Sequence, residues 1–418
     1  MNRLSIALLT CSISAASLAA AEPETWPQWR GPNRDGVLNA QPAWPNDFES
    51  NSLQKQWRIE DLGPSYSGPI VSADRIFLTE TIAKKTEVVS AYDRATGKKL
   101  WTADWTGALE VPFFAAKNGS WIRSTPAFDG KRLYVAGIRD VLACLDGETG
   151  KVLWKLDFPS EYKSELPAFG TVCSPLVDSE AVYVQAGASF VKVEKLTGKV
   201  VWRTVKDDGG MFGSAFSSPI LATLAGKEQL VVQTRTKLVG VDKYSGALLW
   251  ERPIPSFRGM NILTPIAFGD AIFTSTYGGN TQLFNLAAKD EKFAATDAWS
   301  FRYEGNMTSP VVVNGHAYVL GKDQTFACFD LKTGKETFRS DKRFGQYWSI
   351  VANGDKLLAL DQRGILYLVK ANPAEFEILA ERKVADAEAW AHIAVCGEEI
   401  FVRDLNGLTK FRWSAPKK

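Results

Sequence analysis

A short recurring motif limits the possible folds of this chain more than any other feature of its sequence. Residues 91–101 read Ala-Tyr-Asp-Arg-Ala-Thr-Gly-Lys-Lys-Leu-Trp, and residues 144–154 read Cys-Leu-Asp-Gly-Glu-Thr-Gly-Lys-Val-Leu-Trp. Shorter copies occupy residues 194–202, 242–250 and 330–338. Successive motif glycines at positions 97, 150, 198 and 246 are 53, 48 and 48 residues apart. A period of this length is typical of repeat proteins such as propellers, in which each repeat is one supersecondary unit.

The composition of the motif predicts a tight turn between two strands. An aspartate side chain can cap backbone N–H groups of the turn, and a glycine accepts the positive φ that such turns need. The closing tryptophan is large and flat enough to cover the neighbouring repeat, which gives a structural reason for the 14 tryptophans. The residues assigned this role are Asp93, Gly97, Trp101, Asp146, Gly150, Trp154, Gly198, Trp202, Asp242, Gly246, Trp250, Asp330 and Gly334.

A second landmark recurs in step with the first. A Ser-Pro, Thr-Pro or Gly-Pro pair precedes an apolar run at prolines 69, 126, 175, 219, 265 and 310. Two further copies without the proline begin near Trp348 and Trp390. These eight units span 366 residues from Leu53 to Lys418, or about 46 residues each, which is close to a propeller-blade period. The sequence therefore predicts an all-β fold, an eight-bladed β-propeller of four-stranded antiparallel blades.

The ends of the repeat region suggest how the ring closes. The last unit ends soon after Phe411, before a complete fourth strand. The strand at residues 53–58 precedes the first unit and carries Trp57 at the motif position. We predict that this N-terminal strand completes the eighth blade and so protects its edge. Residues 51–418 would then form a single propeller domain, and residues 22–50 an extended N-terminal arm over its surface.

The first 21 residues read as a signal peptide. Arg3 precedes a mostly apolar stretch at residues 4–18, and Ala19-Ala20-Ala21 offers a cleavage site. The alternatives are a membrane anchor, for which the stretch is shorter than the roughly 20 residues needed, and a lipoprotein modified at Cys11. We expect an exported protein of the periplasm or cell envelope. No transmembrane segment is predicted in the mature chain.

Composition excludes several functional classes. A net charge of +2 gives no sign of the basic face of a nucleic-acid-binding protein. Two histidines are too few for a histidine-rich metal centre. The four cysteines after residue 21 permit two disulfides in an exported protein, although buried thiols in strands are the favoured interpretation. These cysteines are Cys144, Cys173, Cys328 and Cys396.

The A-x-D-x-x-T-G-x-x-x-W pattern resembles the tryptophan-docking motif of the pyrroloquinoline quinone (PQQ) repeat. Residues 26–32, Trp-Pro-Gln-Trp-Arg-Gly-Pro, are similar to the N-terminal arm of exported bacterial PQQ-repeat proteins. The resemblance covers essentially the whole chain after residue 50. It implies a β-propeller like those of quinoprotein alcohol dehydrogenases and of BamB, the scaffold lipoprotein of outer-membrane assembly. The same repeat serves enzymes and scaffolds, so the resemblance does not decide between them.

The chemistry of a quinoprotein dehydrogenase is largely missing from the sequence. Such enzymes hold Ca²⁺ through oxygen ligands and carry an adjacent Cys-Cys pair, and no two cysteines here are adjacent. No haem-attachment, HExxH, Walker or G-x-S-x-G motif is present. We therefore predict no catalytic residues, no metal ligands and no cofactor, and a non-catalytic binding or scaffold propeller. The alternatives are a PQQ-dependent oxidoreductase with PQQ and Ca²⁺ in a reduced site, and a hydrolase or lyase that uses acidic residues.

Residues just before the inner strands should converge on one mouth of the central channel, where propellers bind ligands. Arg123 would offer a fixed charge to an anionic group, Trp348 and Trp390 flat walls, and His392 a titratable group between about pH 6 and 7. The expected partner is a small anionic ligand, a peptide or an envelope protein, bound by a monomer. The alternative is that these strand ends are merely solvated. The candidate residues are Trp121, Arg123, Asn261, Asn306, Tyr347, Trp348, Trp390 and His392.

Overall fold

Eight sheets of antiparallel strands form an eight-bladed β-propeller, which confirms the predicted fold class. The computed structural model describes residues 23–38, 43–49, 52–107, 109–207, 215–305 and 307–413. The predicted signal peptide lies outside these residues. The described helices are one α-helix, Phe158–Tyr162, and two 3-10 helices, Phe113–Asn118 and Phe257–Gly259, all in connections between blades.

Each blade is a four-stranded meander that runs outward from the central channel. Blade 1 has the strands Ile70–Val71, Arg75–Ile82, Thr86–Asp93 and Lys99–Thr106, and blade 2 has Ala127–Phe128, Arg132–Gly137, Val141–Asp146 and Val152–Asp157. Blade 3 has Leu176–Val177, Ala181–Gln185, Phe190–Glu194 and Val200–Thr204, and blade 4 has Ile220–Leu224, Lys227–Gln233, Lys237–Val241 and Leu248–Pro253. Blade 5 has Ile266–Phe268, Ala271–Ser275, Thr281–Lys289 and Lys292–Phe301. Blade 6 has Val311–Val313, His316–Leu320, Phe326–Asp330 and Glu336–Arg339. Blade 7 has Trp348–Asn353, Lys356–Asp361, Ile365–Lys370 and Ile378–Lys383.

The eighth blade closes the ring with strands from both ends of the chain. Its first three strands are Ala394–Cys396, Glu399–Asp404 and Gly407–Trp413, and its outer strand is Leu53–Ile59. The outer strand pairs antiparallel with Gly407–Trp413, from Leu53 opposite Trp413 to Ile59 opposite Leu408. The predicted closure by an N-terminal strand is thereby confirmed. The four cysteines after residue 21 are free and buried.

The repeated motif forms the turn between the third and outer strands. In blade 1, Asp93 Oδ1 accepts hydrogen bonds from the backbone N–H and the hydroxyl of Thr96, at 2.7 and 2.6 Å. Gly97 follows with φ +73°. Equivalent carboxylate-to-backbone bonds form at Asp146, Asp242 and Asp330. These local hydrogen bonds account for the recurrence of the motif at the turn between the third and outer strands of several blades.

Most motif tryptophans join one blade to the next. The ring of Trp101 lies against Gly150 of blade 2, where a Cβ atom would come within 2.5 Å of it. Its Nε1 donates to the carbonyl of Gly147 at 3.2 Å. Trp57, Trp154, Trp202 and Trp299 donate in the same way to the turn of the following blade.

Trp250 is the exception among these tryptophans. Blade 5 has no Asp-x-x-Thr-Gly turn after its third strand, so the following blade offers no such docking surface. The indole instead turns inward, and its Nε1 donates to Gln229 Oε1 of its own blade at 2.6 Å.

Residues 23–38 of the N-terminal arm lie inside the channel rather than over the surface. Trp26 is only 1% exposed and forms a β-bridge with Val71 of the blade 1 inner strand. Val37–Leu38 then pairs in parallel with the inner strand of blade 7 and adds a fifth strand to that sheet. The prediction of a surface arm was therefore wrong for this segment, because backbone groups of the inner strands provide partners within the channel.

A buried carboxylate makes the stability of the ring depend on pH. Glu87 of blade 1 accepts hydrogen bonds from Trp105 Nε1 (2.8 Å) and from the backbone N–H of Ile138 in blade 2 (2.6 Å). Burial raises the pKa of Glu87 to about 7. Between about pH 4.5 and pH 7, Glu87 therefore keeps its proton in the folded state, whereas the unfolded chain has lost it. The contribution of the protonated Glu87 carboxyl to stability is complete below about pH 4.5 and is lost as the pH rises through about 7.

We expect Glu87→Gln to remove this pH dependence. Between pH 4.5 and 8, the wild-type protein should lose about 3 kcal/mol that the variant keeps, since each pKa unit corresponds to about 1.4 kcal/mol. Urea denaturation of both proteins at pH 5 and pH 8 measures the difference. Glu148→Gln, at an exposed turn position, is the matched control. If Glu87→Gln changed the free energy of unfolding by the same amount at pH 5 and at pH 8, the prediction would be contradicted.

Candidate functional site

A belt of hydrogen bonds surrounds the channel where the inner strands begin. Thr125 Oγ1 accepts from the backbone N–H of Gly68 at 2.9 Å, and Ser174 Oγ accepts from that of Thr125 at 2.9 Å. In the same way, Ser218 Oγ accepts from the backbone N–H of Ser174, and Ser309 Oγ accepts from that of Thr264. The hydroxyls of the residues that precede four of the prolines thus link neighbouring blades and hold the segments before these strands in position; the residues are Thr125, Ser174, Ser218 and Ser309.

A funnel opens beside this belt, and each blade contributes one residue to its wall. That residue stands three positions before the proline of the inner strand, or before the isoleucine that replaces it in blades 7 and 8. The wall residues are Tyr66, Arg123, Val172, Phe216, Ile262, Met307, Tyr347 and Trp390. Trp29 of the arm also lines this space, and we call its side the floor; the volume is about 170 Å³. We call this the funnel.

One side of the funnel is aromatic. The rings of Tyr347 and Trp390 stack with centroids 5.9 Å apart and an interplanar angle of 19°. Tyr66 follows at 5.4 Å from Trp390. Val172, Phe216, Ile262 and Met307 form the remaining apolar wall. The funnel can therefore hold a flat apolar group between rings and aliphatic side chains.

Arg123 is the charged residue among the described lining residues of the funnel. Its guanidinium lies 5.2 Å from the ring centroid of Tyr66, and its Nη2 donates to the carbonyl of Gly119 at 2.7 Å. No carboxylate in the described part of the chain forms an ion pair with it. Burial lowers the pKa of Arg123 to about 10, so it remains charged at neutral pH.

The structure divides the predicted site residues into two groups. Arg123, Tyr347 and Trp390 line the funnel. Trp121 lies behind the wall, with its ring edge-on to Tyr66 at 5.4 Å. Asn306 lies outside the described residues.

Trp348 and Asn261 do not line the funnel. Trp348 is buried among the rings of Phe326 and Phe344, at 4.9 and 4.4 Å. Asn261 is buried and donates to the backbone carbonyls of Thr234 and Arg235. The expectation that Trp348 forms a ligand-facing wall is therefore corrected: its neighbour Tyr347 has that position, because adjacent residues of an extended segment point in opposite directions.

His392 also has a different role from the one expected. Its ring lies 6.1 Å from that of Trp26 and 5.1 Å from that of Trp29, on the channel side of the floor. Burial, with nearby Arg30, lowers the pKa of His392 to about 3. The imidazole is therefore neutral at physiological pH and does not titrate between pH 6 and 7.

Two arginines of the arm hold the floor of the funnel in place. Arg34 donates to three backbone carbonyls, those of Pro219 (2.8 Å), Pro175 (2.8 Å) and Ser174 (3.0 Å). Arg30 donates to the carbonyl of Pro310 and to that of Asp35 at 2.7 Å. Burial lowers the pKa of Arg30 to about 10 and that of Arg34 to about 9. Both remain charged at neutral pH, so two positive charges lie buried in the channel.

Sequence reasoning missed most of the funnel wall, although a signal was present. Tyr66, Val172, Phe216, Ile262 and Met307 all stand three residues before a Ser-Pro, Thr-Pro or Gly-Pro proline. The constant offset would have identified them. Trp29 had no comparable signal, because the arm does not repeat.

The funnel does not fit a quinone with its calcium ion. None of its described lining residues is an aspartate or glutamate, and the carboxylates of these residues are main ligands of protein-bound Ca²⁺, which takes six to eight oxygens. PQQ is a fused-ring system with several carboxylates, and Arg123 is the single cationic residue among the described lining residues. A cavity of about 150 Å³ holds a single benzene ring, and the funnel offers about 170 Å³. In the described part of the chain, no group of three or more His, Cys, Asp or Glu side chains is placed to hold a metal.

Comparisons with known proteins show what the chain is similar to. The profile of a PQQ-repeat family described as outer membrane protein assembly factor BamB matches residues 85–340. The BamB protein of Moranella endobia is 23% identical over 361 residues, which cover 82% of this chain and 85% of that protein. Quinoprotein ethanol dehydrogenase of Pseudomonas aeruginosa is 24% identical over 196 residues, which cover 46% of this chain and 26% of that protein.

Two solved structures share the fold. BamB from Moraxella catarrhalis superimposes with a TM-score of 0.61 at 14% identity, over 88% of this chain and 99% of that one. A europium-containing methanol dehydrogenase superimposes with a TM-score of 0.51 at 13% identity, over 93% of this chain and 91% of that one.

Among the described residues, no helix has the length and apolar character needed to cross a membrane.

Proposed function

Because this chain belongs to the PQQ-repeat family of outer membrane protein assembly factor BamB, we propose that it is a non-catalytic binding or scaffold propeller of the cell envelope. Its partner in this proposal is an outer-membrane protein during assembly, and the funnel is the docking site. The signal-peptide pattern at residues 1–21 and the relationship to BamB proteins support an envelope location.

The observation that carries the proposal is the chemistry of the funnel. Its eight wall positions are mostly aromatic or aliphatic, and Trp29 closes the floor. Neither a carboxylate nor a histidine lines it among the described residues. Burial raises the pKa of Tyr66 to about 12, which is far from the near-neutral pKa that favours general acid–base catalysis. A largely apolar recess with one fixed charge is instead suited to binding.

The second candidate function is a PQQ-dependent oxidoreductase. The similarity to quinoprotein ethanol dehydrogenase favours it, but that match covers only about a quarter of the enzyme. Addition of PQQ with Ca²⁺ to the purified protein separates the two candidates. A bound-quinone spectrum would favour the oxidoreductase.

A bulky substitution in the funnel tests the proposed function. Val172→Trp is expected to weaken binding of an unfolded outer-membrane β-barrel protein at least about tenfold, because the indole would fill the apolar recess. The measurement is fluorescence anisotropy of the labelled barrel protein, diluted from urea into wild-type or variant protein.

The matched control is Val201→Trp, on the outer strand of blade 3, where the valine is 53% exposed. It adds the same indole away from the funnel and should bind as the wild type does. Thermal melts establish that both variants are folded. Unchanged binding by a folded Val172→Trp variant would exclude the funnel as the docking site.

A further inference from the structure

The charges around the funnel restrict the kind of group that it binds. We propose that the funnel binds an aromatic ring that carries a carboxylate, with the carboxylate paired to Arg123. This chemistry is shared by a free aromatic acid and by an aromatic residue at the C-terminal end of a polypeptide. The inference rests on the proposed function, since it assigns the ligand of the same site.

Arg123 is the first reason. A guanidinium that is partly removed from water and has no carboxylate partner costs free energy unless an anion compensates for it. Its Nη2 is satisfied by two backbone carbonyls, but its Nε is buried without a hydrogen-bond partner. The lowered pKa of Arg123 has burial as its cause, which shows that the charge is removed from water. A ligand carboxylate matches the geometry of a guanidinium.

The arginines beneath the floor are the second reason. Arg30 and Arg34 are buried and bind only carbonyl oxygens among their hydrogen-bond partners. The Nε and Nη1 of Arg30 are buried without a partner. A low-dielectric recess with several charges of one sign attracts the opposite sign. Two carboxylates also lie nearby: Asp35 interacts with Arg30, and Glu388 Oε2 accepts from Trp390 Nε1 at 2.8 Å. Neither is among the described lining residues of the funnel, and together with Arg123 the arginines leave an excess of positive charge that favours anionic ligands.

The shape of the funnel is the third reason. Tyr347, Trp390 and Tyr66 present flat ring surfaces, which prefer another ring in stacked or edge-on contact. The space of about 170 Å³ is of the size that holds one aromatic ring. Trp29 of the arm lines the funnel, and the arm bonds to inner-strand segments of blades 1, 3, 4, 6 and 7 across the channel. We therefore expect that a polypeptide does not pass through. It can enter only with its end or with a single side chain.

Isothermal titration of matched carboxylate and amide probes tests the inference. The probes are 3-phenylpropionate and its amide, and the peptide Gly-Gly-Phe with a free or amidated C-terminus. The wild-type protein should bind each free carboxylate at least about tenfold more tightly than the amide. Binding of 3-phenylpropionate alone would indicate a free aromatic acid, whereas binding of the free peptide would indicate a polypeptide end.

Variants assign the effect to Arg123. Arg123→Gln should lose the preference for the carboxylate, and Arg123→Lys should keep part of it. Lys84→Gln removes a positive charge from an exposed turn and should bind as the wild type does. The wild-type comparison of carboxylate with amide requires no variant, so it stands even if Arg123→Gln fails to fold.

Three results would overturn the inference: equal binding of carboxylate and amide, no binding of either probe, or an unchanged preference in folded Arg123→Gln. None of these results would decide the proposed function, because the Val172→Trp experiment measures a polypeptide partner without reference to charge. Conversely, unchanged partner binding by Val172→Trp would reject the proposed function while the probe titrations still report on the pocket.

Discussion

Deletion of residues 23–38 is expected to lower the free energy of unfolding by at least about 5 kcal/mol, because this segment joins blades from inside the channel. Loss of a buried tryptophan side chain costs about 3–5 kcal/mol, and Trp26 is 1% exposed. Arg34 adds bonds to carbonyls of blades 3 and 4, and Val37–Leu38 pairs with blade 7. Hydrogen bonds from charged groups contribute about 1.5–3 kcal/mol each.

Urea denaturation of the mature chain, with and without this segment, measures the loss. Arg34→Ala tests the same connection with less disturbance and should destabilise the protein by about 2–3 kcal/mol. Three backbone carbonyls lose their partner, and removal of a buried charge offsets part of that loss. The matched control is Arg412→Ala, an exposed arginine paired with Glu398, which should change stability by less than about 1 kcal/mol. An unchanged denaturation midpoint after the deletion would show that the arm does not hold the ring together.

Trp154→Ala is expected to destabilise the protein by about 3 kcal/mol, the lower part of the range for aromatic truncations, because the indole is only half-buried. The ring lies against Gly198 of blade 3, where a Cβ atom would come within 2.7 Å of it. Its Nε1 donates to the carbonyl of Lys195 at 3.1 Å. The substitution therefore removes both the contact and the hydrogen bond between two blades.

Trp154→Phe separates these contributions, since it keeps a ring and removes only the N–H donor. It should cost about 1 kcal/mol. Chemical denaturation of the two variants beside the wild type gives both values. A loss below about 1 kcal/mol for Trp154→Ala would mean that docking of this tryptophan contributes little to the cohesion of the blades.

The architecture of this protein could be predicted because its determinants are local and periodic. The turn around Asp93 and Gly97 is made by residues within a few positions of each other, and its copies recur at one spacing. The same periodicity identified Leu53–Ile59 as the missing strand of blade 8. A short-range interaction that repeats leaves a pattern in the sequence, and that pattern determines the number of blades and the closure of the ring.

The site and the arm were decided by the tertiary structure. Tyr347 and Trp348 are both large aromatic residues, so composition could not show which one faces the funnel; the alternation of an extended segment placed Tyr347 there and Trp348 between blades. Arg34 binds backbone carbonyls, which every residue possesses. These backbone partners therefore leave no mark on the sequence, and only the folded channel brings them together; its side-chain partner, Gln28, belongs to the same non-repeating arm.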